Sequence, residues 1–126
     1  MNENKALIVE YLEALSGKPK DAALVARYVS DPHLAKHIAE CEAAFPNYEL
    51  RTEDLIAEGN LVALRATFRG KHESSFFGVA PTGRTVSMSL IILYRVEGKR
   101  IVQSWMEMNS SALMEQLSAP ALPVNA

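Results

Sequence analysis

The chain has 126 residues, 48% of them hydrophobic, a formal net charge of −2 and one cysteine. That length fits one domain with an apolar core of its own, and the near-neutral charge, with no Lys/Arg cluster, excludes nucleic-acid binding driven by electrostatics. Cys41 alone excludes an internal disulfide and fits a reducing compartment, and neither a basic leader nor the ~20 apolar residues of a membrane span is present, so a soluble, cytoplasmic protein with no membrane contact is expected.

Leu7, Ile8, Tyr11, Leu12 and Leu15 recur at helical spacing between polar Lys5, Glu10 and Glu13, which predicts a first helix stopped by Gly17 and Pro19. Asp21 caps a second short helix with Leu24, Val25, Tyr28 and Val29 as its buried stripe. Asp31-Pro32 is a cap followed by a first-turn proline and opens a third helix, with Leu34, His37, Ile38, Cys41 and Phe45 on one face. From Tyr48 the period changes to two. Tyr48 to Glu58 alternates, Gly59-Asn60 turns the chain, and Leu61 to His72 alternates again with Val62, Leu64, Ala66 and Phe68 on one side. After the Pro81-Thr82-Gly83 turn come strands from Val86 to Val96 and Arg100 to Met108, joined through Glu97-Gly98. Ser110 is expected to cap a closing helix carrying Leu113, Met114 and Leu117. A single domain over 1–117 and a flexible tail over 118–126 follow.

Helices first and antiparallel strands after them give a segregated α+β fold, with the helices covering one face of a strongly curved sheet. The covered face carries Met88, Leu90, Ile92, Tyr94, Val102, Ser104, Met106 and Met108, and is expected to line a pocket. The other face mixes Arg65, Thr67, Arg69, Ser87 and Glu107 with Ile91, Leu93 and Trp105. That balance predicts a homodimer formed through the sheet.

The segments FPNYELRTEDLIAEGNLVALRATFRGKH, FFGVAPTGRTVSMS, YRVEGKRIVQSW and ALMEQL together resemble the SnoaL-like polyketide cyclase branch of the nuclear transport factor 2-like superfamily. The resemblance covers about Lys5 to Leu117. It implies a cone-shaped antiparallel sheet with N-terminal helices on its concave face, a roll of the cystatin-like kind. It also implies a pocket for a small apolar or polyketide-like molecule, and chemistry without metal or organic cofactor: a carboxylate near a histidine removes a proton α to a carbonyl in a dry site. The chain departs from the pattern on its final strand. Ser104-Trp105-Met106 stands where many members carry His-Trp-Asp, Asn109 stands where an Asp is common, and Ile92 where a polar residue is common.

With the usual acid missing, Asp54 is the first candidate. Strict alternation puts it with Tyr48, Leu50, Thr52 and Ile56, and a carboxylate among apolar groups is driven toward its neutral acid, which suits a general base. The ordinary alternative is an Asp accepting local hydrogen bonds. His72, at the end of a strand, is the second catalytic candidate, as a donor at the pocket mouth, against a histidine packed on Phe76 or Phe77. Tyr11, Tyr48, Tyr94 and Ser104 are candidate ligand-orienting hydroxyls, and His37, Met88, Ile92, Met106 and Asn109 candidate pocket lining, against plain core roles. His33 and His37 lie one helical turn apart but lack further ligands, so no metal site is assigned. Cys41 reads as a buried structural thiol. The functional expectation is a small-molecule-binding protein, acting as a cyclase, isomerase or hydrolase. The alternative is a non-catalytic binding or dimerisation module that has lost the acid/base.

Overall fold

The computed structural model describes residues 2–118. The expected tail lies, from residue 119 onward, outside the described residues. The order is α1 (Glu3–Leu15), α2 (Ala22–Tyr28), α3 (Pro32–Ala44), β1 (Glu49–Glu58), β2 (Leu61–Lys71), β3 (Thr85–Glu97), β4 (Arg100–Met108) and α4 (Ser110–Ser118). No helix among the described residues is long and apolar enough to cross a membrane.

Each helix starts where a side chain can satisfy its free N–H groups. Asn2 accepts from the backbone of Asn4 and Lys5, Asp21 from Leu24, and Asp31 from His33 with Pro32 in the first turn. The cap of α4 is Asn109, not Ser110: its side-chain oxygen accepts from the Ala112 N–H at 3.2 Å. The four strands form an antiparallel meander in the order β1-β2-β3-β4, as the curved α+β sheet that the change of period predicts. The β3–β4 turn falls on Gly98 and Lys99, at φ 57° and 60°. Two consecutive left-handed residues match the right-handed twist of the flanking strands.

The inward faces of β2 and β3 follow the alternation: Val62, Leu64, Ala66, Phe68, Val86, Met88, Leu90, Ile92, Tyr94 and Val96 are all buried. Against them pack Ile8, Tyr11, Leu12 and Leu15 of α1, Val25 and Tyr28 of α2, and Leu34, Ile38 and Cys41 of α3. Gly70 lets Phe45 close the core, since a Cβ there would stand 2.9 Å from Phe45 Cβ. Lys20 ties the α1–α2 connection to the α3–β1 corner: its buried ammonium donates to the carbonyls of Lys18 and Tyr48 and to Glu42 at 2.8, 2.9 and 3.0 Å.

Two strands break strict alternation. A bulge in β1 shifts the register between Thr52 and Asp54. Before it Leu50 faces inward; after it Leu55 and Ala57 do, and Ile56 is 69% exposed. A second shift opposite Arg95 and Val96 pairs Val96 with Ile101, so Ile101, not Val102, is the fully buried residue at the start of β4.

Candidate functional site

Between α3 and the inner sheet face the side chains leave a cavity of about 30 Å³. Tyr11 reaches it from α1, His37 and Cys41 from α3, Tyr48 from the α3–β1 corner, and Phe68, Met88, Ile92, Met106 and Met108 from the sheet. These elements converge because the odd–even pattern of β2 and β3 sends one apolar face toward the helices, and because α3 turns its His37–Cys41 stripe to meet it. Of the residues expected to bind a ligand, Tyr11, His37, Tyr48, Met88, Ile92 and Met106 share this wall. The space holds about one water, so as it stands the expected pocket is closed by its own lining.

Beside it lies a surface cleft of about 240 Å³ formed by His33, Leu34, His37, Ser104, Met106 and Met108. Leu34, His37, Met106 and Met108 belong to both spaces. They form the partition between solvent and the cavity, and methionine is the side chain best able to re-pack in such a place. Ser104 stands at the cleft and donates to Asp31 Oδ2 at 3.3 Å, while Asp31 Oδ1 caps α3. Asp31 is 7% exposed, a buried carboxylate directly behind the cleft wall. Read from the chain alone it is only a helix cap; its second partner lies 73 residues away, beyond any local pattern.

The remaining candidates fall elsewhere. Asp54 does not face the cavity. The β1 bulge turns it to the outer face, where its carboxylate is 56% exposed and pairs with Arg65 Nε at 2.6 Å. His72 is fully buried, but packs on Phe45, ring to ring at 5.3 Å, and does not line the cavity. The Thr82 backbone N–H donates to its Nδ1 at 3.1 Å, and among the described residues Nε2 has no partner. Its visible work is to fasten the 73–83 loop, since its backbone also bonds Gly83 and Arg84. Asn109 is the cap of α4 and is exposed beside Glu107 and Ile91, away from the cavity. Tyr94 is fully buried behind Tyr11, rings edge to face at 5.9 Å, and its hydroxyl has no hydrogen-bond partner among the described residues.

Burial sets the electrostatics. It drives the Tyr11, Tyr48 and Tyr94 hydroxyls well above the ordinary phenol range, and the Cys41 thiol is pushed up to about 12. It lowers His37, with Glu40 partly opposing. At neutral pH the cavity wall therefore presents phenol and thiol groups that keep their protons and one uncharged imidazole, His37, whose Nε2 lies 3.5 Å from Cys41 Sγ. Among the described residues no carboxylate lines the cavity or the cleft. Among the described residues no group of three or more His, Cys, Asp or Glu is arranged to hold a metal ion. The arrangement can accept a proton at one point and donate hydrogen bonds at several others.

Comparison with known proteins agrees with this architecture. The family model of the SnoaL-like polyketide cyclases matches residues 18–117. AclR of Streptomyces galilaeus, a candidate hydroxylase, is 28% identical over 99% of this chain and 87% of its own, with a TM-score of 0.80. IdmH of Streptomyces antibioticus, a candidate polyketide cyclase, is 23% identical over 94% of this chain and 100% of its own, with a TM-score of 0.75. A candidate SnoaL-like polyketide cyclase from Jannaschia sp. CCS1 is 18% identical over 94% of each chain, with a TM-score of 0.81. No curated protein sequence matches the chain.

Proposed function

Because the chain belongs to the SnoaL-like polyketide cyclase family, we propose that it binds a small apolar, polyketide-like molecule between α3 and the inner sheet face and carries out acid/base chemistry on it, with His37 handling the proton. The observation that carries this reading is the position of His37. It is shared by the cavity and the cleft, and burial keeps its imidazole in the free-base form. Removing a proton α to a carbonyl needs a base near neutral pKa in a water-poor site. Asp54 and His72 stand outside that space, and Met106 and Asn109 have no useful basicity. Of the two imidazoles at the cleft, His33 reaches the cleft alone and His37 reaches both cleft and cavity, so His37 is assigned the proton.

The molecule enters through the cleft by displacing Met106 and Met108, which turns the cleft and the small cavity into one pocket. Roughly 300 Å³ is the lower end for a drug-sized ligand, more than either space offers alone. The outward sheet face, with Ile91 52% and Trp105 43% exposed, supports a homodimer.

A second reading has its own support. A cavity that is closed and free of carboxylates suits a module that binds without catalysis. One experiment separates them: polyketide esters and aryl ketones are offered to wild type and to His37→Phe, with binding and turnover followed separately. Turnover by wild type that falls about 10²–10⁴-fold in the variant, with binding kept, is the expected result. Binding without turnover in both proteins selects the non-catalytic module. Undiminished turnover in the variant removes His37 from the mechanism.

A further inference from the structure

The cavity wall carries a donor set that acid/base work at His37 does not use. The one cysteine of the chain and three of its five methionines, Met88, Met106 and Met108, line this single space of about 30 Å³. Cys41 and His37 lie one helical turn apart on α3 and both reach it, with Cys41 Sγ 3.5 Å from His37 Nε2. A thiol proton can bridge that gap, and so can a metal ion. With bonds of about 2.3 Å to thiolate sulfur and about 2.0 Å to imidazole nitrogen, the lengths known for zinc, two ligands at a tetrahedral angle on one ion stand about 3.5 Å apart. The space takes about one water-sized occupant. Elsewhere the wall is apolar except for the Tyr11 and Tyr48 hydroxyls.

We infer that this cavity is a binding site for a soft monovalent metal ion, copper(I), held by Cys41 and His37 with thioether sulfur from Met88, Met106 and Met108 completing the set. The inference goes beyond the acid/base reading and does not rest on it. Thiolate and thioether donors select copper(I) over hard ions. Charge makes the same choice. Among the described residues no carboxylate lines the cavity, so a thiolate is the anion the site can supply, and one thiolate neutralises one unit of positive charge. A divalent ion there would leave a net charge buried among apolar side chains, which is costly. The imidazole is already in the free-base form that a metal requires, since burial lowers His37. Burial pushes the Cys41 thiol up to about 12, but a coordinating ion deprotonates a thiol outright.

Binding exchanges one proton for one ion. The Cys41 S–H bond breaks, its electron pair forms the S–Cu bond, the proton leaves to solvent, and copper keeps its oxidation state. The route in is the cleft, where His33 stands one turn before His37 and where Met106 and Met108 form the partition. An ion arriving there meets imidazole and thioether before it reaches the thiolate. The fold thus supplies what the spacing of His33 and His37 lacks along the chain: a sulfur ligand one turn further on at Cys41, and thioethers from the facing sheet. A bound ion takes the His37 lone pair, so metal loading and proton abstraction exclude each other.

The test is an anaerobic titration with copper(I) in competition with bicinchoninate, a coloured copper(I) chelator, on wild type, Cys41→Ser, His37→Phe and Met106→Leu. Wild type should bind a single ion per chain. Cys41→Ser and His37→Phe should each weaken binding by more than about 100-fold, beyond the range for an outer partner of a metal ligand, and Met106→Leu, which nearly keeps the side-chain volume, by about tenfold. Copper(I) should raise the melting temperature of wild type, and zinc(II) at the same concentration should leave it unchanged. Affinity lost in Cys41→Ser but kept in both His37→Phe and Met106→Leu would mean a lone thiol and overturn the proposal. Wild-type affinity in Cys41→Ser, or an equal shift with zinc(II), would overturn it too. Circular dichroism checks that each variant folds, and if Cys41→Ser does not, His37→Phe and Met106→Leu decide by the same affinities. None of these readouts needs turnover, so failure of the acid/base reading leaves the result standing.

Discussion

Replacing Tyr94 by phenylalanine should make the unliganded protein more stable, contrary to the usual effect of a core substitution. The change deletes one oxygen atom. Burying a hydroxyl without a partner costs about 1–3 kcal/mol, and the misaligned contact with Tyr11 returns at most about 0.5–1.5 kcal/mol of that. The hollow left by the oxygen, on the order of 10 Å³, costs about 0.3 kcal/mol at the usual penalty per unit of cavity volume. The balance is a gain of about 1 kcal/mol, which for a chain of this length raises Tm by about 4 °C. Thermal melts and urea unfolding without ligand measure it, with an unchanged urea slope showing that the denatured state is not the cause. A variant that melts about 4 °C or more below wild type would show that the Tyr94 hydroxyl is well bonded in the folded protein.

Lys20→Met should destabilise the fold by about 2–4 kcal/mol, since it strips the bonds to Lys18, Glu42 and Tyr48 from an ammonium whose side chain is 2% exposed; a urea-measured loss below about 1 kcal/mol would show that those groups find other partners. His37 gives the stability a definite pH slope. Burial holds its folded pKa below the ordinary imidazole value of about 6.5, so between the two values the unfolded chain binds more protons, and stability is lost as pH falls below about 6.5. His37→Gln should flatten that loss in urea midpoints, and a variant as acid-sensitive as wild type would place the titration elsewhere. Light scattering should show a homodimer that Trp105→Glu converts to monomer; a variant dimer that survives would move the interface off the sheet face.

Local pattern carried far into this structure. The helix starts at Asp21 and Asp31, the period-two faces of β2 and β3, and the turns at Gly59 and Gly98 were all readable, because each depends on residues within a few positions of one another. The inward placement expected of Asp54 failed for an equally physical reason. One bulged residue in β1 reverses the faces of the rest of the strand, and nothing in TEDLIAEG marks it. His72 was read at a pocket mouth; the loop that returns through Thr82 and Gly83 instead encloses it against Phe45.

The amino-acid sequence by itself determined the α+β class and the order of elements, since these follow from periodicity and capping along the chain, and its motifs carried the resemblance to the SnoaL-like family. Only the tertiary structure decided which groups meet. Asp31 reaches Ser104, His37 stands between cleft and cavity, and Tyr94 comes behind Tyr11 with its hydroxyl unpaired. Each of these joins elements far apart in the chain, and burial there lowers His37 and raises the Tyr11 and Tyr94 hydroxyls. Proximity and desolvation are properties of the packed molecule, and no local spacing encodes them.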